Sequence, residues 1–277
     1  MKTMKNSVKN FLKYRYLLQE IVRKNIKLQY RSSVLGVFWT FLQPLLNVLV
    51  LSVIFGALFV RNEKDFKCFA IYLLCGRLVF EFYTSSTKRA MRSIRNSAGV
   101  IKKVYVPKYI YPLANVFSSF ITFLISLTVL LLFLVYYIHF TDKEIGWSHY
   151  ILYSVVPFVN MFLLSIGVGM VLCVLEVFFK DIEYLYDVFC TVLFYLTPMF
   201  YMADTIFPKP TVVQKVFLFI IKANPLYGIV SSFRNCVLFS RPMQWLHIWY
   251  PFVFAMVLIG IGTLMFYKKQ DEFILHI

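Results

Sequence analysis

With 277 residues, of which 60% are hydrophobic, 19% aromatic and only 15% charged, and a mean hydropathy of +0.71, the chain is too apolar for a soluble globule, whose charged share runs near a quarter. Its net charge of +16 raises nucleic acid as a partner, but the cations flank apolar stretches instead of forming one surface, so membrane topology accounts for them and nucleic acid is excluded. The five cysteines are odd in number, lie mostly in or beside apolar stretches and show no metal-ligand spacing with the four histidines, so they read as reduced packing residues and no metal is expected.

Residues 1–33 carry Lys, Arg and Glu20 throughout, with no uninterrupted apolar run, which excludes a secretory signal peptide. Val8, Phe11, Leu12, Leu17, Leu18, Ile21, Val22 and Leu28 recur at roughly helical spacing, and Lys9, Lys13, Arg15, Arg23, Lys24 and Lys27 supply the opposite face. The pattern predicts an amphipathic interface helix in the headgroup plane. The competing reading, a solvated basic tail, needs no periodic apolar residues.

Residues 34–277 read as one transmembrane domain without internal repeat or soluble insert. Stretches long enough to cross about 30 Å of hydrocarbon fall near 34–60, 68–86, 110–138, 150–179, 185–203 and 246–267. The expectation is an all-α polytopic protein with six spans. Nine Lys or Arg lie in 1–33 and seven in 87–109, against three in 61–67 and one in 141–149, which places both termini in the cytoplasm. The short connector "KDIEYLYD" (180–187) then also lies inside, and 204–245 outside. Five cations and one acid in that outer stretch run against the rule, which long loops obey weakly. Within it, "VVQKVFLFII" and "PLYGIVSSFRNCVLF" are apolar but short, broken by Pro208, Pro210, Pro225 and Gly228. Re-entrant half-helices fit better than two further spans.

Catalysis is not expected. No GxxxxGK[ST] occurs, and "GVGM" (167–170) and "GIG" (260–262) sit inside apolar helices as packing positions. Glu176, Asp181, Glu183 and Asp187 cluster at a membrane boundary, where a solvated or headgroup-facing role is the default, and the histidines are scattered. Inside the second span, Arg77 and Glu81 share a face at i and i+4. An isolated charge near mid-bilayer costs about 3 kcal/mol or more, so a mutual pair facing the interior is expected. Whether that pair lines a path or locks two helices stays open.

Four segments carry a family resemblance: "QYRSSVLGVFWTFLQPLLNVLVLSVIFG" (29–56), "SSTKRAMRSIRNSAGVIKKVYVPKYIYPLANVFSSFITFLISL" (85–127), "VFFKDIEYLYDVFCTVLFYLTPMFY" (177–201) and "NPLYGIVSSFRN" (224–235). In this order they resemble the matching parts of bacterial polysaccharide-export ABC permeases, the membrane subunits that export O-antigen, capsule or teichoic-acid chains. The resemblance implies a permease homodimer in the cytoplasmic membrane with two copies of a separate ATPase, moving a lipid-linked polysaccharide outward. It implies no cofactor on this chain, ATP and Mg belonging to the partner.

It also implies roles. The loop "SIRNSAGVIKKVYVPKY" resembles a coupling helix seated in a groove of the ATPase, spanning 93–105. Ile94, Val100, Ile101, Val104 and Tyr105 would fill the groove, while Arg92, Arg95, Lys102 and Lys103 meet partner acids or headgroups, and Pro107 stops the helix. The plainer alternative is a basic loop that only sets topology. In "YRSSVLG", Tyr30 and Arg31 stand at headgroup depth, and with Arg23, Lys24 and Lys27 they suit entry of a lipid diphosphate. Anchoring to anionic membrane lipids competes with that reading. Gly36 would permit close helix approach, and Gln43, Pro44 and Asn47 put polarity and a kink in the first span. Trp39, Tyr195, Phe200 and Tyr201 are candidate sugar-stacking surfaces of a channel, against the alternative that aromatics fill helix interfaces. Pro198 breaks the fifth span as part of an outer gate. Two rival functions remain at this point: a permease of the same fold for a drug or small lipid, and an ion-coupled secondary transporter using Glu81 or Glu176, which usually shows repeated halves.

Overall fold

The computed structural model describes residues 14–31, 33–59, 69–103, 106–140, 149–201 and 211–276, and among them it is helical without strands. In chain order the helices are α1 (Arg15–Gln29), α2 (Trp39–Phe59), α3 (Phe69–Met91), α4 (Ser93–Asn96), α5 (Ala98–Ile101), α6 (Ile110–Phe140), α7 (Val155–Phe178), α8 (Ile182–Leu196), α9 (Val212–Ala223), α10 (Pro225–Val237), α11 (Trp245–Lys269) and α12 (Phe273–His276). One-turn 3-10 segments, Gly36–Phe38 and His149–Ser154, lead into α2 and α7.

Helix α3 is the centre. It carries Arg77, Glu81, Lys88 and Arg89, yet most of its residues are buried, packed by α2, α6, α7, α8 and α10. Around it α2, α6, α7 and α11, with the segments leading into α2 and α7, are long and apolar enough to cross a membrane. The apolar side chains of α3 join those of α6, α7 and α10 in one core, with Val48, Leu193, Met199 and Ala255 contributed from outside. The tightest helix pair is α7 on α11. A Cβ at Gly167 would come within 2.8 Å of Leu258, and one at Gly262 within 2.8 Å of Met170, so backbones approach where side chains vanish. Gly169 meets Ala90 of α3 in the same way. Gly36 differs from its expected packing role: its φ is +49° and a Cβ there would touch nothing within 4 Å, so it serves the turn between α1 and α2.

Helix α1 turns Leu17, Leu18, Ile21, Val22 and Ile26 inward and leaves Arg23, Lys24, Lys27 and Arg31 outward. It lies against α6, where Asn25 donates to Asn115 and Ser118 at 3.3 and 3.4 Å. Leu28, expected on the apolar face, is exposed. Val8, Phe11 and Leu12 lie outside the described residues.

Helix α8, the expected fifth span, has 15 residues, about 22 Å of rise. It stops at Leu196 because Thr197, preceding Pro198, is extended, the conformation that a residue before proline prefers. Helices α9 and α10 are each too short to span and meet at a 76° bend. Asn224 makes that bend: its side chain accepts from the Leu226 amide at 3.0 Å and donates to Thr197 Oγ1 at 3.0 Å, and Pro225 opens α10. By length and apolarity there are four spanning helices among the described residues, or five if the bent pair counts as one.

Candidate functional site

A polar cleft opens between the end of α1, the start of α2, the second half of α3 and the first half of α6. Its volume is about 280 Å³. The Gly36 turn swings Tyr30 back over α2, where its hydroxyl lies 2.6 Å from Thr40 Oγ1. Gln29 donates to that hydroxyl at 3.1 Å and accepts from Arg89 at 2.8 Å, so one chain of hydrogen bonds ties α1, α2 and α3 together. Trp39, Gln43 and Pro44 line the α2 wall; Glu81, Ser85 and Arg89 recur every fourth residue along α3 and form one stripe of another wall. Two of the predicted residues, Tyr30 and Trp39, therefore meet a third, Glu81, in one cavity. Sequence reasoning did not single out Arg89, Gln29 or Ser119.

The other predicted entry residues gather nearby. Arg23, Lys24, Lys27 and Arg31 line a shallow depression on the outer face of α1 together with Glu20, which binds Arg23 at 3.2 Å. Lys24, Lys27 and Arg31 have no acidic partner among the described residues, so this face is positive.

The segment from Arg92 onward forms two short helices rather than one: α4 and α5, joined at Ser97. Arg92 and Arg95, expected to reach outward, instead bind acids in the last turn of α7 and the first turn of α8. Arg92 lies 2.7 Å from Glu183. Arg95 lies 2.6 Å from both Glu183 and Glu176, and the hydrogen bond that it donates to Glu183 holds its guanidinium even more firmly protonated than usual. Lys88 adds a 2.7 Å pair with Asp187. Ile94 and Ile101 also turn inward, into a cluster with Cys173, Val174, Phe266 and Phe273. Ile101 is 7% exposed, whereas its neighbour Val100 is 44% exposed, and Lys102 and Lys103 are exposed. The free surface of the loop is thus Asn96, Gly99, Val100, Lys102 and Lys103. Val104 and Tyr105 lie outside the described residues.

Toward the other end of α3, Arg77 and Glu81 form the expected i, i+4 pair, at 3.6 Å, a distance beyond a hydrogen bond. The Arg77 guanidinium also sits 5.9 Å from the Phe194 ring of α8, and Phe194 packs edge-on against Tyr195 and Phe200. Tyr195 is exposed; Phe200 and Tyr201 are half-buried. Tyr201 donates to the Tyr195 carbonyl at 3.1 Å and its own carbonyl accepts from Tyr72 at 2.7 Å.

Behind these aromatics sits a residue that the sequence reading passed over. Arg234 of α10 is 4% exposed. It donates to the carbonyls of Tyr72, Pro198 and Met199 at 3.2, 2.6 and 3.1 Å and stacks on the Tyr72 ring at 3.6 Å. The carbonyls left open by the break at Pro198 are thereby satisfied by a planar fork of donors. Gly76 makes the room: a Cβ there would collide with the guanidinium and come within 2.8 Å of Met199 Sδ. The signal was present in the sequence, one arginine within an apolar half-helix.

No group of His, Cys, Asp and Glu among the described residues has the geometry of a metal site.

The profile described as "ABC-2 type transporter" matches residues 16–238, from α1 through the end of α10. The O-antigen export system permease protein RfbA of Klebsiella pneumoniae is 27% identical over 257 residues, 93% of each chain. RfbA of Myxococcus xanthus is 24% identical over 266 residues, 96% of this chain and 97% of its own. The polysialic acid transport protein KpsM of Escherichia coli is 21% identical over 255 residues, 92% of this chain and 93% of its own.

Proposed function

The chain belongs to the ABC-2 type transporter family, and on that premise we propose that it is the channel-forming subunit of an exporter for lipid-linked polysaccharide, of the undecaprenyl-diphosphate type, across the cytoplasmic membrane. It is a multi-pass membrane protein of a transport-permease family, not of an enzyme family, and such permeases work with an ATPase subunit. The observation that carries the substrate class is the full-length match to proteins named for O-antigen export and polysialic acid transport. Drug permeases and ion-coupled carriers have no such support here.

In this reading two copies of the chain pair with two ATPase subunits, which hold ATP and Mg. Six spans follow if α3 and α8 cross along with the four long apolar helices, α8 being completed by residues beyond Leu196. The bent pair α9–α10 then dips into the outer leaflet, and both termini are cytoplasmic. The positive face of α1, with Arg23, Lys24, Lys27 and Arg31, receives the diphosphate of the lipid carrier, and Tyr30 stands at the mouth of the cleft behind it. Trp39, Arg77, Glu81, Tyr195, Pro198, Phe200 and Tyr201 belong to the path and its outer gate. The ATPase reads α4–α5 through its exposed side. Val100, Lys102 and Lys103 make the contact, while Arg92 and Arg95 hold the loop onto the end of α7 and the start of α8, and Ile101 roots it in the core.

The experiment is genetic and biochemical together. Deleting the gene should leave the lipid-linked glycan trapped on the cytoplasmic side, and re-expressing the chain with its ATPase should restore surface polysaccharide. Val100→Asp with Lys102→Glu and Lys103→Glu should insert normally, fail to co-purify with the ATPase and fail to restore export. Surface polysaccharide unchanged by the deletion would refute the function; normal co-purification of the triple variant would refute the docking face alone.

A further inference from the structure

The four cations at the cytoplasmic end of α3 and in α4 do not share one fate. Lys88, Arg92 and Arg95 each meet a carboxylate at 2.6 or 2.7 Å. Arg89, half-buried in the cleft, meets none among the described residues, and its one recorded hydrogen bond goes to the neutral Gln29 side chain at 2.8 Å. A guanidinium has five donors, so most of its capacity is unspent in a site partly shielded from water. Ser119 lines the same cleft, is 3% exposed, and its hydroxyl has no hydrogen-bond partner among the described residues. A buried hydroxyl left open costs about 1–3 kcal/mol, which a ligand group would recover. Trp39, 44% exposed, offers a ring face and an indole N–H on the α2 wall.

We propose that this intrasubunit cleft binds a sugar phosphate, with the phosphate on Arg89 and the sugar ring between Trp39, Ser119 and Glu81. The site rests on the polysaccharide-export reading and is separate from the basic face of α1. Arg89 suits a phosphate because its planar fork matches two phosphate oxygens and stays charged. The other end of the α3 stripe suits the sugar. Glu81 lies eight residues earlier, about 12 Å along the helix, and an ionised carboxylate only accepts hydrogen bonds, which sugar hydroxyls donate and a fully ionised phosphate does not. The aromatic ring face attracts the C–H side of a sugar, positive at its edge. The stripe is therefore polarised, anion-seeking near the end of α3 and hydroxyl-seeking two turns deeper, and it fixes which end of the ligand enters first. A free phosphate and a phospholipid headgroup share half of this chemistry and lack the sugar.

The test uses the full-length chain in phosphatidylcholine nanodiscs, with Trp147, Trp245 and Trp249 changed to Phe so that Trp39 alone reports. N-acetylglucosamine 1-phosphate is titrated and the quenching of Trp39 followed, with N-acetylglucosamine and inorganic phosphate as parallel probes. The sugar phosphate should bind more tightly than either fragment. Arg89→Gln should weaken it about 10-fold or more, the equivalent of losing a charged hydrogen bond, with Arg89→Lys in between. Ser119→Ala should weaken binding by several-fold while leaving the unliganded melting temperature equal or higher, an outcome that a purely structural serine does not give. Equal binding by Arg89→Gln, or inorganic phosphate matching the sugar phosphate, overturns the proposal; so does competitive loss of binding when phosphatidylglycerol is added to the nanodisc, which assigns the cleft to a lipid headgroup. If binding fails while the same chain still restores export, this site falls and the export reading stands.

Discussion

Arg234 and Arg89 are two guanidiniums packed about the same helix, and they are treated in opposite ways. Arg234, carried by α10, is sealed from solvent, donates to three carbonyls and lies on a tyrosine ring. Arg89, on α3 itself, is half-buried and rests on one neutral side chain. A guanidinium fully satisfied by its own protein has nothing left to offer a ligand and serves to hold backbone in place; one left partly open in a cleft is available. Between them Arg77 is intermediate, with one loose acidic partner and a ring. What the protein itself supplies to each guanidinium, three carbonyls and a ring for Arg234, a loose carboxylate and a ring for Arg77, one neutral amide for Arg89, thus ranks the three from structural to functional.

The largest effect expected follows from the sealed end. Arg234→Ala strips the Tyr72, Pro198 and Met199 carbonyls of their donor and opens a cavity, so unfolding in detergent should come earlier by about 3–5 kcal/mol. Arg234→Lys should recover little, since a single ammonium does not span three carbonyls and stack. Gly76→Ala should resemble Arg234→Ala, and the double variant should fall well short of the sum, because both disrupt one contact. Additive losses would mean that the two residues act apart.

Next comes the tether between α4 and the end of α7. Glu176 is 1% exposed and pairs with the half-exposed Arg95, so Glu176→Ala should cost about 2 kcal/mol, below the 3–5 kcal/mol of a fully buried pair because Arg95 keeps access to water. Limited proteolysis should then cut the α4–α5 loop sooner than in the wild type. A loop equally resistant in the variant would remove the tether.

The intermediate arginine should show an intermediate result. Arg77→Ala should destabilise by about 1–2 kcal/mol and the Arg77→Ala, Glu81→Ala double variant by less, since the single change strands a partly buried carboxylate. A cycle without coupling would make the 3.6 Å pair incidental.

Much of this arrangement was legible from sequence, and the misses have physical causes. The order of elements, the break before Pro198, the glycine contacts between α7 and α11 and the Arg77–Glu81 pairing all follow from local rules, so periodicity and spacing revealed them. Helix α3 is harder to read. It falls outside the four helices that pass as spanning by length and apolarity, yet it is the most enclosed, because its polar groups are answered by other elements that sequence does not place beside it. The same holds for Arg92 and Arg95: the acids that bind them lie more than 80 residues away, so a basic loop looked outward when half of it is tied down. Ile101 and Val100 are adjacent, and no pattern in a four-residue helix tells which one faces the core. Gly36 was read as a packing glycine because a helix was expected from residue 34; its positive φ belongs to a turn instead.

The smallest stability effect belongs to the open end. Arg89→Gln should melt within about 0.5 kcal/mol of the wild type, since only one hydrogen bond to a neutral group is exchanged. A loss as large as that of Arg234→Ala would erase the contrast between the two arginines.

The central claim is that this fold passes a lipid-linked glycan when driven by an ATPase on another chain. It is tested most directly in proteoliposomes holding the chain with its ATPase, oriented with the nucleotide sites outward and given a lipid-linked polysaccharide in the outer leaflet. The account predicts that ATP moves the glycan inside, out of reach of an added glycosidase, only when both proteins are present. Glycan that stays fully accessible with both proteins and ATP, or that moves with the chain alone, would contradict it.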